Sequence, residues 1–298
     1  MESATAPEPI DYYSSGTRCS ALLWHPVTSP SGPAAPAVVL CHGFRGIKEW
    51  GLPAFAELFA RAGFVALAID YRGFGESDGE QGRLVPREQV ADIRAALSWL
   101  EAQDFVDSAQ LVLYGTSFGG GNVVQAAAED ERVSAVVCQV GLGDVRRRWA
   151  QVWEQLEPIV VEDRKQRAVT GVSRRIDPGG MLDNAQSNAA IAAAEARWPR
   201  ISVSFPLEAV EAVFEFAPER VVDAISPRPI LFLGARNDLA VPLAETESLF
   251  AAAREPKRMH VYDITHYDIY EHPHLDRAVG DSLSFLAEHG IGPATPAR

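Results

Sequence analysis

The chain has 298 residues, enough for one large α/β domain or two small ones, and 47% of them are hydrophobic. That share is ordinary for a globular protein with a sizeable buried core. The formal net charge of −13 argues against nucleic acid, and against an anionic membrane surface, as a partner, because both are bound through clustered Lys and Arg.

Cysteine usage and apolar runs narrow the class of protein further. Cys19, Cys41 and Cys138 are widely spaced and form no CxxC pair, which favours buried reduced thiols over a disulfide framework or a zinc site. No stretch approaches about 18 uninterrupted apolar residues, so no membrane span is expected. The opening MESATAPEPIDYY has neither the basic nor the apolar region of a signal peptide. We therefore expect a cytoplasmic protein.

The first predicted elements are a hairpin and a buried strand. The segments IDYYSS and TRCSALLWHP predict two paired strands. TSPSGPAAP, residues 28–36, predicts a turn rich in Pro, Ser and Ala. AVVLCHGF is a continuous apolar run that ends at a glycine, which is typical of a strand buried on both faces.

Helices and strands alternate after this strand. PREQVADIRAALSWLEAQ predicts a helix that begins near Pro86 and buries one face, formed by Val90, Ile93, Leu97 and Leu100. The other predicted elements are LPAFAELFARAGF, VALAIDYRGFG, AQLVLYGTS, FGGGNVVQAAAEDE, VSAVVCQVGLGD, RPILFLGARND, LAETESLFAAARE, RMHVYDITHYD and HLDRAVGDSLSFLAEHG. This alternation indicates βαβ units, and so a parallel sheet with helices on both faces.

One segment interrupts the alternation. Residues 145–222 contain no clear buried strand, and VRRRWAQVWEQLEPIVVEDRKQR and DNAQSNAAIAAAEARW predict helices. The segment is too long for a loop, so we expect a small helical subdomain inserted into a core of residues 1–144 and 223–298. An insertion after a strand's carboxyl end would lie over the edge of the sheet where α/β proteins bind ligands.

The stretch LVLYGTSFGGGN is the first candidate for chemistry. Ser117 follows an apolar strand and precedes a helix, which is the setting of a nucleophile elbow. We expect Gly115 and Gly119 to lack side chains so that the strand and helix can pack closely. The N–H of Phe118, at the helix N-terminus, can then face a developing oxyanion. The alternative is a glycine-rich βα turn whose serine has no chemical role.

A serine nucleophile needs a base, and the base needs an orienting carboxylate. Among seven histidines, His266 follows the strand RMHVYDIT and would reach the same sheet edge, whereas His260 lies inside that strand and is expected to pack in the core. Asp238 ends the strand ILFLGARND. Asp144, at the end of another strand, and Asp268, only two residues beyond His266, are the alternatives for the acid.

The loop CHGFRG ends the first long buried strand and can supply a second oxyanion donor. Its Phe44 N–H could lie beside that of Phe118. His42 in the same loop is interpreted as structural, bonded to nearby loop backbone.

Five motifs together resemble those of the α/β-hydrolase superfamily. They are HGF at 42–44, DYRGFGESDG at 70–79, GTSFGG at 115–120, GARNDLAVP at 234–242 and THYDIY at 265–270, and the resemblance covers roughly residues 35–290. Within the superfamily the chain is similar to serine esterases and to peptidase-like hydrolases related to Xaa-Pro dipeptidyl peptidases and dienelactone hydrolases. The cysteine chemistry of dienelactone hydrolases is not carried over, since the elbow residue here is Ser117.

The resemblance implies a fold and a set of functional residues. It implies an α/β-hydrolase fold with a mostly parallel sheet of about eight strands and an inserted helical cap. It implies a triad in the chain order Ser117, Asp238, His266, which needs no metal and no organic cofactor. It also makes DYRGFGESDG a structural loop near the rim of the site; the loop lacks the Lys-Ser/Thr ending of a phosphate-binding P-loop.

The expected activity is hydrolysis of a carboxylic ester of a small to medium, fairly apolar molecule. The same triad would serve amide, thioester or carbon–carbon bond hydrolysis, and a non-catalytic binding protein on this scaffold is a remote alternative. Aromatic and apolar residues of the insertion are candidates for the pocket roof, although each could equally form the insertion's own core. They are Trp149, Trp153, Met181, Trp198, Phe205 and Phe214. An apolar insertion face is also compatible with a homodimer.

Overall fold

The structure is a computed structural model that describes residues 6–27 and 34–293. Most of the turn predicted at residues 28–36 lies outside the described residues. The strands of the described part are β1 (Glu8–Ser14), β2 (Thr17–Trp24), β3 (Ala35–Cys41), β4 (Val65–Ile69), β5 (Val106–Thr116), β6 (Val133–Gln139), β7 (Arg175–Ile176), β8 (Phe205–Pro206), β9 (Ile230–Ala235) and β10 (Lys257–Tyr262).

The main sheet has eight strands in the order β1-β2-β4-β3-β5-β6-β9-β10. The predicted hairpin forms, with β1 antiparallel to β2, and β2 runs antiparallel to β4. All remaining neighbours, from β4 to β10, pair in parallel. The predicted mostly parallel sheet is therefore confirmed, and the carboxyl ends of its parallel strands lie along one edge.

Helices cover both faces of this sheet. The helices are α1 (Leu52–Arg61), α2 (Pro86–Glu101), α3 (Phe118–Glu129), α4 (Val145–Arg148), α5 (Ala150–Thr170), α6 (Ala185–Arg197), α7 (Leu207–Phe214), α8 (Leu243–Ala252) and α9 (His274–Glu288). Buried residues of α2, α3 and α8 belong to one hydrophobic cluster, and those of α1 and α9 to another. Successive residues of β5 alternate between the clusters, Leu111 and Leu113 in the first and Val112 and Tyr114 in the second.

The segment between β6 and β9 contains the helices α4 to α7. It also contains the short antiparallel pair β7–β8, in which Ile176 lies opposite Phe205. Neither this pair nor α7 was predicted, because two-residue strands and an eight-residue helix leave too short a pattern in the sequence. Leu207 and Val213 of α7 are fully buried and belong to the same cluster as α2 and α3. The segment thus shares its hydrophobic core with one face of the sheet.

The loop at residues 70–79 folds around a buried carboxylate. Asp70 accepts hydrogen bonds from the ammonium of Lys48 at 2.7 Å and from the N–H of Glu76 at 2.9 Å. Burial raises the pKa of Asp70 to about 6, against the opposing charge of Lys48. Gly75 has φ 57°, and a Cβ there would come within 2.0 Å of the Asp70 carboxylate. These contacts agree with a structural role for the loop.

Candidate active site

Ser117 occupies the sharp turn between β5 and α3. Its backbone has φ 57° and ψ −123°, a strained conformation that is concentrated at functional sites, and its N–H donates to the carbonyl of Gln139 at 2.9 Å. A Cβ on Gly115 would lie 2.1 Å from the carbonyl oxygen of Gly119, and one on Gly119 would lie 2.4 Å from that of Cys41. The prediction that both glycines must lack side chains is therefore confirmed.

His266 and Asp238 come together at the carboxyl edge of the sheet. The His266 Nδ1 and Asp238 Oδ2 atoms are 2.6 Å apart, and the two side chains are 3% and 0% exposed. The other oxygen, Oδ1, accepts the N–H groups of Ala240 at 2.8 Å and Val241 at 2.7 Å, which fixes the orientation of the carboxylate. Because a carboxylate only accepts, Nδ1 carries the proton and Nε2 is left as the basic nitrogen.

The structure brings neither alternative acid to His266. Asp144 caps α4, where its side chain accepts a backbone N–H of the first turn. Asp268 accepts the N–H of Thr265 at 2.8 Å, and this bond holds the pKa of Asp268 below its usual value. The expectation of a core position for His260 is wrong, because β10 is the last strand of the sheet and leaves that side chain 36% exposed.

Two backbone N–H groups border Ser117. The backbone at Gly43 passes so close that a Cβ there would lie 2.9 Å from the Cβ of Ser117, and Phe44 follows directly. Phe118 begins α3, and the rings of Phe44 and Phe118 are 5.9 Å apart. Neither N–H donates to any atom of residues 6–27 and 34–293. The prediction that these two N–H groups form an oxyanion hole stays a prediction.

A cavity, partly open to solvent, lies against these residues. Ser117 and His266 line it together with Phe44. Its apolar wall is formed by side chains from the loop after β3 and from the inserted segment, namely Trp50, Leu182 and Ile191.

The six candidates for the pocket roof do not line this cavity. In the described part of the chain its lining includes none of Trp149, Trp153, Met181, Trp198, Phe205 and Phe214. Five of the six belong to the main hydrophobic cluster, and Trp198 packs on a smaller one. The rings of Trp149 and Phe205 lie 5.8 Å and 5.2 Å from that of Phe44, on which they pack as a second layer. The pocket assignment is corrected accordingly: five of these side chains are core, and Trp198 is partly buried.

Two tyrosines on the cavity were not singled out from the sequence. Tyr267 and Tyr270 lie in the motif THYDIY, directly after His266, and both line the cavity. The hydroxyls of Tyr270 and Thr116 are 2.5 Å apart, and Thr116 accepts the amide N–H of Gln139 at 2.9 Å. Burial raises the pKa of Tyr270 well above its usual value, so its hydroxyl stays protonated. Their position in the sequence, directly after the candidate base, is the signal that could have identified them as cavity residues.

His42 lines the cavity but is held as a neutral structural group. Its Nδ1 lies 2.9 Å from the carbonyl oxygen of Gly43, and its ring packs edge-on against Tyr71 at 4.6 Å. Burial lowers the pKa of His42 to about 4. The interpretation of His42 as a structural residue bonded to loop backbone is confirmed.

Some expectations concern groups outside the cavity. The three cysteines are buried and unpaired, as predicted. In the described ranges, no group of three or more His, Cys, Asp or Glu side chains is arranged to hold a metal ion. Nor does any helix there combine the length and apolar character needed to cross a bilayer.

Comparison with known proteins gives the family. A family model described as serine aminopeptidase, S33, matches residues 32–271. An uncharacterized 31.7 kDa protein of Escherichia coli is 33% identical over 265 residues, which are 85% of this chain and 91% of that protein. The thiohydrolase aneE of Aspergillus aculeatus is 26% identical over 245 residues, 76% of this chain and 77% of that one. The crystal structure of the α/β hydrolase GrgF from Penicillium sp. sh18 has the same fold, with a TM-score of 0.82 at 22% identity over 96% of this chain and 99% of that chain. The chain therefore belongs to the serine aminopeptidase, S33, family of α/β hydrolases.

Proposed function

We propose that the chain is a serine hydrolase that cleaves a carboxylic ester of a small to medium, fairly apolar substrate. The observation that carries the proposal is the 2.6 Å contact between His266 and Asp238 on a cavity that also holds Ser117. A buried imidazole with its Nδ1 bound by a carboxylate is the base that a serine nucleophile requires.

Each residue has a distinct role in the proposed cycle. His266 Nε2 removes the proton of Ser117 as the serine oxygen attacks the carbonyl carbon, and Asp238 stabilises the imidazolium that forms. The N–H groups of Phe44 and Phe118 donate to the oxyanion of the tetrahedral intermediate. His266 then protonates the leaving alcohol. In the second half of the cycle His266 takes a proton from water as the water oxygen attacks the acyl carbon. The bond from that carbon to the Ser117 oxygen then breaks, His266 returns its proton to the serine, and the acid is released.

The apolar wall of the cavity favours a substrate with an apolar acyl or alcohol group. Trp50, Leu182 and Ile191 present hydrocarbon surface beside the serine, and two of them come from the inserted segment. We propose that residues 145–222 act as a cap, with Leu182 and Ile191 as the part that contacts substrate. Burial of such a group stabilises binding by about 25 cal/mol per Å² of apolar surface.

The charge of the residues that line the cavity helps to distinguish an ester substrate from a peptide substrate. An aminopeptidase must bind the α-ammonium of its substrate, and a carboxylate is the usual partner for a buried cation. Among the described residues, no Asp or Glu lines the cavity. This favours an uncharged ester over a peptide with a free N-terminus.

A thioester is the second candidate substrate. The relative named as a thiohydrolase matches 76% of this chain, and the same triad serves both bonds because the oxyanion is common to them. A thiolate is also a better leaving group than an alkoxide and depends less on protonation by His266.

Hydrolysis of matched substrates tests the proposal. p-Nitrophenyl esters from acetate to octanoate, acyl thioesters of the same lengths and aminoacyl anilides are compared for the wild type, Ser117→Ala and the exposed-site control Ser284→Ala. We expect ester or thioester turnover, covalent labelling of Ser117 by a fluorophosphonate, and loss of both in Ser117→Ala alone. Equal ester turnover by the wild type and Ser117→Ala would refute the proposal, and faster turnover of anilides would favour a peptidase.

A further inference from the structure

The loop that carries Asp238 is bound by a glutamine of the inserted segment. Gln186, in the first turn of α6, donates its Nε2–H to the carbonyl of Asn237 at 2.9 Å. Its Oε1 accepts the N–H of Leu239 at 3.1 Å. The Gln186 amide therefore binds the backbone on both sides of Asp238. The orientation of this amide is fixed, because one backbone partner donates and the other accepts.

An arginine of the inserted segment binds the next part of the same loop. Arg148, at the end of α4, donates from Nε to the carbonyl of Ala240 at 2.8 Å and from Nη2 to that of Leu239 at 2.9 Å. Hydrogen bonds from a charged donor are among the stronger ones in proteins. Burial lowers the pKa of Arg148, and the charge of Asp238 opposes that shift, as expected for a cation near the carboxylate.

Among residues 6–27 and 34–293, the backbone of the hydrolase core binds only the start of this loop. The N–H of Arg236 donates to the carbonyl of Tyr262 at 2.8 Å, and the N–H of Asn237 donates to the carbonyl of Ile264 at 3.0 Å. Beyond this point Leu239 is 51% exposed, although its neighbours Asp238 and Ala240 are buried. Without the two side chains, the carbonyls of Asn237, Leu239 and Ala240 would lose their hydrogen bonds from the insertion. The loop would keep the bond from the Asn237 side chain to Asp263, the carboxylate's own bonds and the burial of Ala240.

We propose that Gln186 and Arg148 are positioning residues that hold Asp238 against His266. The inference rests on the proposed function, because it assigns the insertion a part in maintaining the triad as well as in binding substrate. Displacement of a catalytic group by about 1 Å can cost about a hundredfold in rate. Loss of the hydrogen bonds from Gln186 or Arg148 should therefore lower turnover, although neither side chain contacts the substrate.

The test compares kcat and KM for p-nitrophenyl acetate. Among the described residues that line the cavity, neither Gln186 nor Arg148 is included, so their loss should affect kcat more than KM. We expect Gln186→Leu and Arg148→Met each to lower kcat by about tenfold or more, with KM changed by less than about threefold. Arg148→Lys, which keeps the charge and a donor, should recover part of the lost kcat. Because both side chains hold one loop, the double variant should lose less than the product of the single effects.

Asn188→Leu is the matched control. Asn188 lies on the same helix, but its amide binds Asp183 within the insertion at 2.9 Å, so its loss should leave kcat unchanged. All rates are referred to the folded fraction measured by near-UV circular dichroism at the assay temperature. The inference is overturned by wild-type kcat in folded Gln186→Leu and Arg148→Met while Ser117→Ala is inactive. Full activity of Ser117→Ala would instead overturn the proposed function on which the inference rests.

Discussion

The buried ring of His42 makes the stability of the fold depend on pH in a defined window. The folded protein holds this side chain with a pKa of about 4, against the ordinary value of 6.5. Burial is the largest cause; the carbonyl of Gly43 and the charge of Glu49 oppose it weakly, and Lys48 adds to it. Since the unfolded chain binds the proton more tightly, stability is fully present above pH 6.5 and is lost as the pH falls toward 4.

The size of the effect follows from the two pKa values. Between about pH 7.5 and pH 4.5, protonation of His42 in the unfolded state alone should remove about 2.5 kcal/mol of unfolding free energy. Other groups also titrate in this range, so the quantity to measure is a difference between variants. Replacement of the imidazole by an amide in His42→Asn removes the titration while keeping a polar side chain at the position.

Urea unfolding at both pH values measures this difference. We expect the wild type to lose about 2.5 kcal/mol more than His42→Asn between the two conditions. His25→Asn is the control, because it makes the same change at a side chain that is 43% exposed and keeps the buried ring of His42. An equal loss in the wild type and His42→Asn would refute the inference that the ring is kept neutral by burial.

Two further predictions concern the triad and the buried ion pair. Asp238→Asn should lower kcat by up to about ten thousandfold, because an amide cannot stabilise the imidazolium of His266. Steady-state kinetics measures the loss, and an unchanged circular dichroism spectrum shows that the variant is folded. A loss of kcat below about tenfold would contradict the proposed role of Asp238. Lys48→Met should lower the free energy of unfolding by about 3–5 kcal/mol, because it leaves Asp70 buried without its cation. The double variant Lys48→Met, Asp70→Leu should lose less unfolding free energy than Lys48→Met alone, and urea unfolding measures both values.

The sheet and the elbow could be predicted because their signals are local. The run LVLY before Ser117 and the glycines at 115 and 119 report directly on a strand, a close packing and a helix start. Asp238 follows the buried strand β9 and His266 follows β10, and parallel strands bring the positions after their carboxyl ends to one edge.

The pocket could not be predicted in the same way. Whether an insertion residue faces the cavity or the core depends on how the helices sit on the sheet, which no local pattern encodes. Trp149 and Phe205 looked like lining because they are large and aromatic, yet they pack behind Phe44. Leu182 and Ile191, ordinary apolar residues in the sequence, form the wall. Gln186 and Arg148 gave no signal, since their partners are backbone atoms far along the chain.

The hydrogen bonds from α4 and α6 to the loop at residues 237–240 limit how this protein could be redesigned or could diverge. A substrate-binding insertion is an obvious segment to exchange between related enzymes when a new specificity is wanted. Here an exchanged insertion would also have to reproduce an amide at 186 and a guanidinium at 148, in the same places relative to the sheet. With the roles proposed above, variation confined to the wall around Leu182 and Ile191 would leave that support intact and would be the simpler route to a new substrate.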